Sequence, residues 1–112
     1  MQVEITHIDG VSVLRLLETR IDAARAADFR KLFSSLHEDQ HDRIAIDFGK
    51  VNFLDSSGLG ALVSGLKLIG NKGEIVLFGV TGLVENLFKL TRMNRVFIIA
   101  DNEADAIAKL KG

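Results

Sequence analysis

No cysteine occurs in the 112 residues. That removes disulfides, thiol catalysis and thiolate metal sites from the chemistry open to the chain, and it suits a reducing compartment. Positive charge is not concentrated either. Lys and Arg number 14 against 15 Asp and Glu, for a net charge of −1, and they are spread along the chain, so the clustered basic footprint of a nucleic-acid binder is missing. No apolar run approaches the roughly 18 residues that a membrane-spanning helix needs. The opening MQVEITHIDG reads as a strand and lacks the basic-then-apolar order of a secretory leader. Internal repeats, low-complexity tracts and linkers are also missing. The expectation is a soluble, cytoplasmic protein.

What is present is an ordinary globular composition, 47% apolar and 26% charged, in a chain long enough for one domain, 1–112, with a single core. Val3, Ile5 and Ile8 mark a first strand. Asp9-Gly10 is a hairpin turn, since both residues tolerate positive φ, and Val11–Leu17 returns as a second strand with Val11 and Val13 on one face and Ser12, Leu14 and Leu16 on the other. After a polar connection, with Thr19 or Asp22 as helix cap, Ala26, Phe29, Leu32, Phe33 and Leu36 recur at helical spacing across 23–36. A polar loop, 37–42, leads to a strand over 43–48. Next comes a helix from about Ser57 to Ile69, with Leu59, Leu62, Val63, Leu66 and Ile69 as its apolar stripe and Gly58, Ala61, Ser64, Gly65 and Leu68 on the other faces. A turn over 70–73 precedes a nearly continuous apolar strand, 74–78, of the kind covered on both faces. A helix over 83–90 with Thr81 as cap, a short strand over 96–99 and a last helix over 101–110, its weak apolar side formed by Ala104, Ile107, Ala108 and Leu110, complete the order β-β-α-β-α-β-α-β-α. This pattern describes an α/β domain: one mixed sheet of four to five strands, a hairpin followed by parallel crossovers, with about four helices packed on it.

The stretch Asn52-Phe53-Leu54-Asp55-Ser56-Ser57-Gly58-Leu59-Gly60 stands between the central strand and the longest apolar helix. Asp and Ser are good N-cap residues, because their side-chain oxygens accept from the unpaired N–H groups of a helix's first turn. Three in a row exceed what one helix start requires. A serine nucleophile would need a nearby base, yet His7, His37 and His41 are not tied to Ser56 or Ser57 by any pattern, and the G-x-S-x-G elbow is missing. Gly58-Leu59-Gly60 matches neither G-x-x-x-x-G-K-[ST] nor G-x-G-x-x-G, since Val63 stands at the third glycine; the plain reading is close packing of helix on sheet. Asp47 lacks the acidic cluster that a Mg²⁺-dependent phosphoacceptor needs and reads as an acceptor that fixes its loop. The histidines with Asp39 and Asp42 read as a solvated loop and not as a metal site. No catalytic residue, cofactor or metal is expected. What remains is Ser56 as a modifiable hydroxyl at an accessible helix start.

The whole chain resembles the bacterial anti-sigma factor antagonists, the small proteins of the STAS domain family. The resemblance rests on the nonapeptide 52–60 and on Asp22 in Arg20-Ile21-Asp22. It also rests on the strand Ile44 to Phe48, on Gly73 to Val80, and on Leu87-Phe88-Lys89-Leu90-Thr91-Arg92-Met93. It implies a STAS-type fold and a partner switch. The unphosphorylated protein binds an anti-sigma factor that is also a serine kinase and frees its sequestered target; the kinase phosphorylates it, and a PP2C-type serine phosphatase reverses the mark. The phosphoacceptor maps to Ser56, the partner-facing rim to Asp55, Ser57, Gly58, Leu59 and Gly60, and an adjacent contact to Asp22. Thr19 stands where the family commonly has glycine. The alternative is a STAS scaffold that is never phosphorylated, or one that binds a nucleotide or lipid at the same helix start. No nucleic-acid or membrane partner is expected. A monomer is, since no long apolar stripe is left without a place in the core.

Overall fold

Strands β1 (Val3–Ile8) and β2 (Val11–Leu16) pair antiparallel with Ile8 opposite Val11. The two residues between them, Asp9 and Gly10, have φ of 53° and 80°, the left-handed pair that a two-residue hairpin of matching twist requires. From β2 onward the strands run parallel: β4 (Arg43–Asp47), β6 (Glu74–Phe78) and β7 (Ile98–Ala100), giving the order β1-β2-β4-β6-β7. The computed structural model describes residues 1–70 and 73–111. The turn expected over 70–73 therefore lies in part outside the described residues.

Alternation along the strands divides the interior in two. Leu14, Ile44, Ile46, Ile75 and Leu77 face a large core shared with Phe29 and Phe33 of α1 (Ala23–Glu38), Leu62 and Ile69 of α2 (Ser56–Ile69), and Val84 and Phe88 of α3 (Gly82–Leu90). Val11, Val13, Ala45 and Val76 face the opposite side, where α4 (Glu103–Lys111) covers them with Ala106 and Leu110. Full burial of a large side chain contributes about 1.5–3 kcal/mol, so the phenylalanines under α1 and α3 dominate the packing. Among the described residues, this five-stranded mixed sheet with four helices is the α/β architecture expected, in the expected order.

Several details differ. The buried face of α2 is Gly58, Ala61, Leu62, Gly65 and Ile69, while Leu59, Val63 and Leu66 are half-buried. The small residues thus point inward. A Cβ on Gly65 would stand 2.6 Å from the Phe33 ring, and one on Gly58 would stand 2.5 Å from the Ile21 carbonyl oxygen. The missing Cβ of Gly65 lets α2 lie close to α1, and that of Gly58 lets it lie close to Ile21 and Leu54, which periodicity scored on bulky residues alone does not register. On α4, Ala104 and Ala108 are exposed and Ala106 joins Leu110 inside. The last strand begins at Ile98 because a 3-10 turn, Met93–Arg95, entered through Arg92 at φ 62°, takes up the chain before it. Helix α1 continues through His37 and Glu38. A further two-stranded sheet, β3 (Arg20–Ile21) with β5 (Phe53–Leu54), lies outside the main sheet. Its two-residue strands are too short for alternation to reveal.

Candidate functional site at the paired helix starts

The two-residue strands set the site. β3 and β5 are parallel, with Arg20 beside Phe53 and Ile21 beside Leu54. The Thr19 carbonyl accepts from the Asn52 and Phe53 N–H groups at 2.9 and 3.2 Å, and the Ile21 carbonyl accepts from Asp55 N–H at 3.4 Å. The Arg20 guanidinium lies over the Phe53 ring at 4.2 Å from its centroid, a cation–π contact that ties the two strands across their outer side. Thr19 has no left-handed φ, so its place in the loop does not call for glycine.

Each strand is followed directly by an aspartate that caps the next helix. Asp22 Oδ1 accepts from Arg25 N–H at 3.3 Å, and Asp55 Oδ1 accepts from Gly58 N–H at 3.0 Å. Both residues are extended, with φ of −101° and −93°, the backbone a cap requires before the chain turns helical. Because β3 and β5 run in register, Asp22 and Asp55 emerge next to each other and α1 and α2 start side by side. Two sets of first-turn N–H groups, each the positive end of a helix dipole, therefore open onto one surface.

The expected residues sort clearly on this surface. Ser56, the first residue of α2, is exposed. Asp22, Asp55, Ser57, Leu59 and Gly60 are half-buried around it, and Gly58 is buried beneath. Gly58 is thus a packing residue by contact, wedged against Ile21 and Leu54, as the plain reading of the glycines holds. Thr81 stands at the N-cap position of α3 without a side-chain capping bond.

Electrostatically the rim is anchored by Arg25, whose guanidinium bonds Asp22 at 3.1 Å and Glu18 at 3.3 Å. The Arg25 backbone N–H lowers the Asp22 pKa from its ordinary value, aided by the guanidinium and opposed by desolvation. The Arg25 pKa is raised, chiefly by its hydrogen bond to Glu18 and then by that to Asp22. Sequence reasoning missed Arg20, Phe53 and Arg25. The signal available was the repeat of apolar residue then Asp in Arg20-Ile21-Asp22 and Phe53-Leu54-Asp55.

Other titratable groups stand elsewhere. His7 bonds Ser12 Oγ at 3.0 Å and stacks on His41 with centroids 4.5 Å apart, and His37 bonds Asp42 at 2.7 Å. His37 lies in the last turn of 16-residue α1, whose length is about 24 Å at 1.5 Å per residue, while Ser56 lies beside its first. Asp47 Oδ1 accepts from Gly49 N–H at 2.7 Å, fixing the loop after β4 as its sequence position suggested. Among the described residues no group of His, Asp and Glu is arranged to hold a metal, and no helix is long and apolar enough to cross a membrane.

An aspartate-capped serine at the start of the central helix, on a hairpin-then-parallel sheet, coincides with a family-wide match: the STAS domain pattern fits residues 2–106. The chain belongs to the STAS domain family. This STAS domain is 29% identical over 113 residues to the anti-sigma F factor antagonist of Paenibacillus polymyxa, a match spanning 99% of this chain and 96% of that protein. Its fold is similar to that of an anti-sigma factor antagonist from Mycobacterium paratuberculosis, with a TM-score of 0.88 at 22% identity over 99% of this chain and 94% of the other. It is also similar to the Bacillus cell fate determinant SpoIIAA, whose structure is of the phosphorylated form, with a TM-score of 0.72 at 19% identity over 96% and 98% of the two chains.

Proposed function

We propose that this STAS domain is an anti-sigma factor antagonist in a bacterial partner switch. The unphosphorylated form binds an anti-sigma factor with serine-kinase activity across the paired helix starts and frees the target that factor holds. Phosphorylation of Ser56 abolishes the binding, and a PP2C-type phosphatase restores it. The observation that carries this reading is the placement of Ser56, an exposed hydroxyl at the first residue of α2, set beside the half-buried rim of Asp22, Asp55, Ser57, Leu59 and Gly60. The relative from Paenibacillus polymyxa bears the antagonist name over nearly its whole length, and SpoIIAA has a phosphorylated form. The protein acts as a substrate and binding partner and carries no catalytic group of its own.

The physics follows from the site. A phosphate adds about −1.5 to −2 charges and three acceptor oxygens. Two neighbouring helix N-termini favour an anion there, so the free domain tolerates the mark without refolding. In a close interface the same group must be desolvated. About 3 kcal/mol of differential binding weakens affinity more than a hundredfold. Leu83 and Leu90, exposed at 72% and 83% on α3, which packs beside β5, offer a partner apolar surface. Incubation with the cognate kinase and ATP, followed by mass spectrometry, should place the phosphate on Ser56; exclusive labelling elsewhere sinks the assignment.

A further inference from the structure

The two edges of the sheet are unlike. β1 carries Glu4, Thr6 and His7 along its length, the polar blunting that keeps an edge from pairing with another chain. At the other edge, Val96-Phe97-Ile98-Ile99-Ala100 contains no charged residue and no proline, and β7 pairs only with β6 among the described residues. Its apolar side chains are also open: Val96, Ile98 and Ile99 are 47%, 41% and 36% exposed. Ile99 lies beside Leu77 and so faces the α3 side, whereas Ile98 lies beside Val76 and faces the α4 side. The uncovered surface therefore wraps round the edge and is not a plane. A flat bilayer cannot engage both faces at once; a strand added alongside can, because successive side chains of a strand point to opposite faces.

Charge around this edge is ordered. Arg92 and Arg95 precede it and Asp101 follows it; all three are exposed and none enters an ion pair among the described residues. A strand that is basic before and acidic after is complementary to itself when reversed. We infer that β7 is a self-association edge, and that two copies of this chain join by antiparallel β7–β7 pairing, with Arg95 of each copy meeting the acidic end of the other strand at the partner's Asp101. Pairing centred on Ile98 sets that residue against the same residue of the second copy and Arg95 opposite the partner's Asp101, a closed two-fold arrangement in which one patch serves both sides. The two five-stranded sheets become one of ten strands, and the apolar edge is covered. The inference replaces the expectation of a monomer, which supposed that every apolar stretch had a place in the core. It does not rest on the proposed phosphorylation, since Ser56 is on none of these elements.

Sedimentation equilibrium of the full chain from micromolar to about 1 mM, the range in which a weak dimer declares itself, tests it. The expected result is a monomer–dimer equilibrium that Arg95→Glu and Asp101→Lys each weaken about tenfold or more, with the double swap returning to within about threefold of the original, as a direct charge pair requires. Ile99→Lys should give monomer with an unchanged circular dichroism spectrum, and Ser56→Asp should leave the equilibrium as it was. A chain that stays monomeric to about 1 mM, a dimer indifferent to both charge reversals, or a double swap no better than the single ones would each overturn the inference.

Discussion

Asp22 and Asp55, 33 positions apart in sequence, do the same task on adjoining elements: each directly follows a two-residue strand, each is extended, and each accepts from the N–H three residues on. The register of β3 with β5 brings the two caps together. Most of what the surface can do follows from this equivalence, because it fixes where both helices begin and which residues of the first turns look outward.

Removing a cap should cost stability before it affects anything else. Asp55→Ala is expected to destabilise the domain by about 1 kcal/mol, within the range of about 0.5–2 for lost caps. For a domain of this size that lowers the melting temperature by about 4 °C. Asp55→Asn, which keeps the accepting oxygen, should melt close to the parent. Thermal unfolding followed by circular dichroism measures both.

The glycines of the signature should separate. Gly58→Ala places a methyl against the Ile21 carbonyl and the Leu54 side chain, and overpacking of that kind costs about 1–3 kcal/mol. Gly60→Ala meets only the tip of the Arg30 side chain at 3.4 Å, a flexible neighbour. There the gain in helix propensity, about 1 kcal/mol, should leave stability equal or higher. Urea denaturation should show a lowered midpoint for Gly58→Ala and an unchanged or raised one for Gly60→Ala, and equal shifts would contradict the packing assigned to Gly58.

Acid should act through Asp22 and Asp28. The Asp22 pKa is lowered mainly by the Arg25 N–H, and the Asp28 pKa by its hydrogen bond to the N-terminal ammonium at 2.6 Å and by that group's charge. Folded-state values below the unfolded ones mean that both contributions are present above the unfolded carboxylate range, near pH 4. They are lost as pH falls through the folded values. Stability should therefore drop on acidification below about pH 4, and Asp22→Asn should flatten that limb while leaving Asp28's share. Unfolding midpoints at neutral pH and at successive acidic points give the comparison.

The charge at Ser56 should control partner binding and little else. Ser56→Asp is expected to weaken affinity for the cognate kinase by about a hundredfold, equivalent to ~3 kcal/mol, with a melting temperature near that of the parent. Ser56→Ala should bind and accept no phosphate there, and Ser57→Ala should remain a substrate. Calorimetric titration against the kinase reads the affinities, and a Ser56→Asp variant that binds as tightly as the parent would rule out the switch.

The main sheet and its helices were legible because their signals are local: the Asp9-Gly10 turn, the alternation of β2, the unbroken apolar run of β6 and the helical recurrence of α1 all lie within a few residues. The STAS signature was legible for the same reason. What was not legible depends on partners distant in sequence. Gly65 looks like part of an open face until Phe33 is brought against it. Arg20 becomes part of the site only when Phe53 lies under it. Ala106 outranks Ala104 because α4 lies on Val13, Ala45 and Val76 with that side inward. Leu83 and Leu90 have the composition of core residues and stand in solvent.

The β3–β5 pair also has a consequence for how the molecule exchanges its amide hydrogens. The N–H groups of Asn52, Phe53 and Asp55 are held by Thr19 and Ile21 alone, outside the ladder that joins β2, β4 and β6. A two-residue clasp can open while the large sheet stays closed, and local openings of that kind are what exchange detects below the global unfolding energy. Those three amides form a natural reporter set. Their protection follows the clasp beneath the two aspartates, while that of Ile46 and Leu77 follows the domain as a whole.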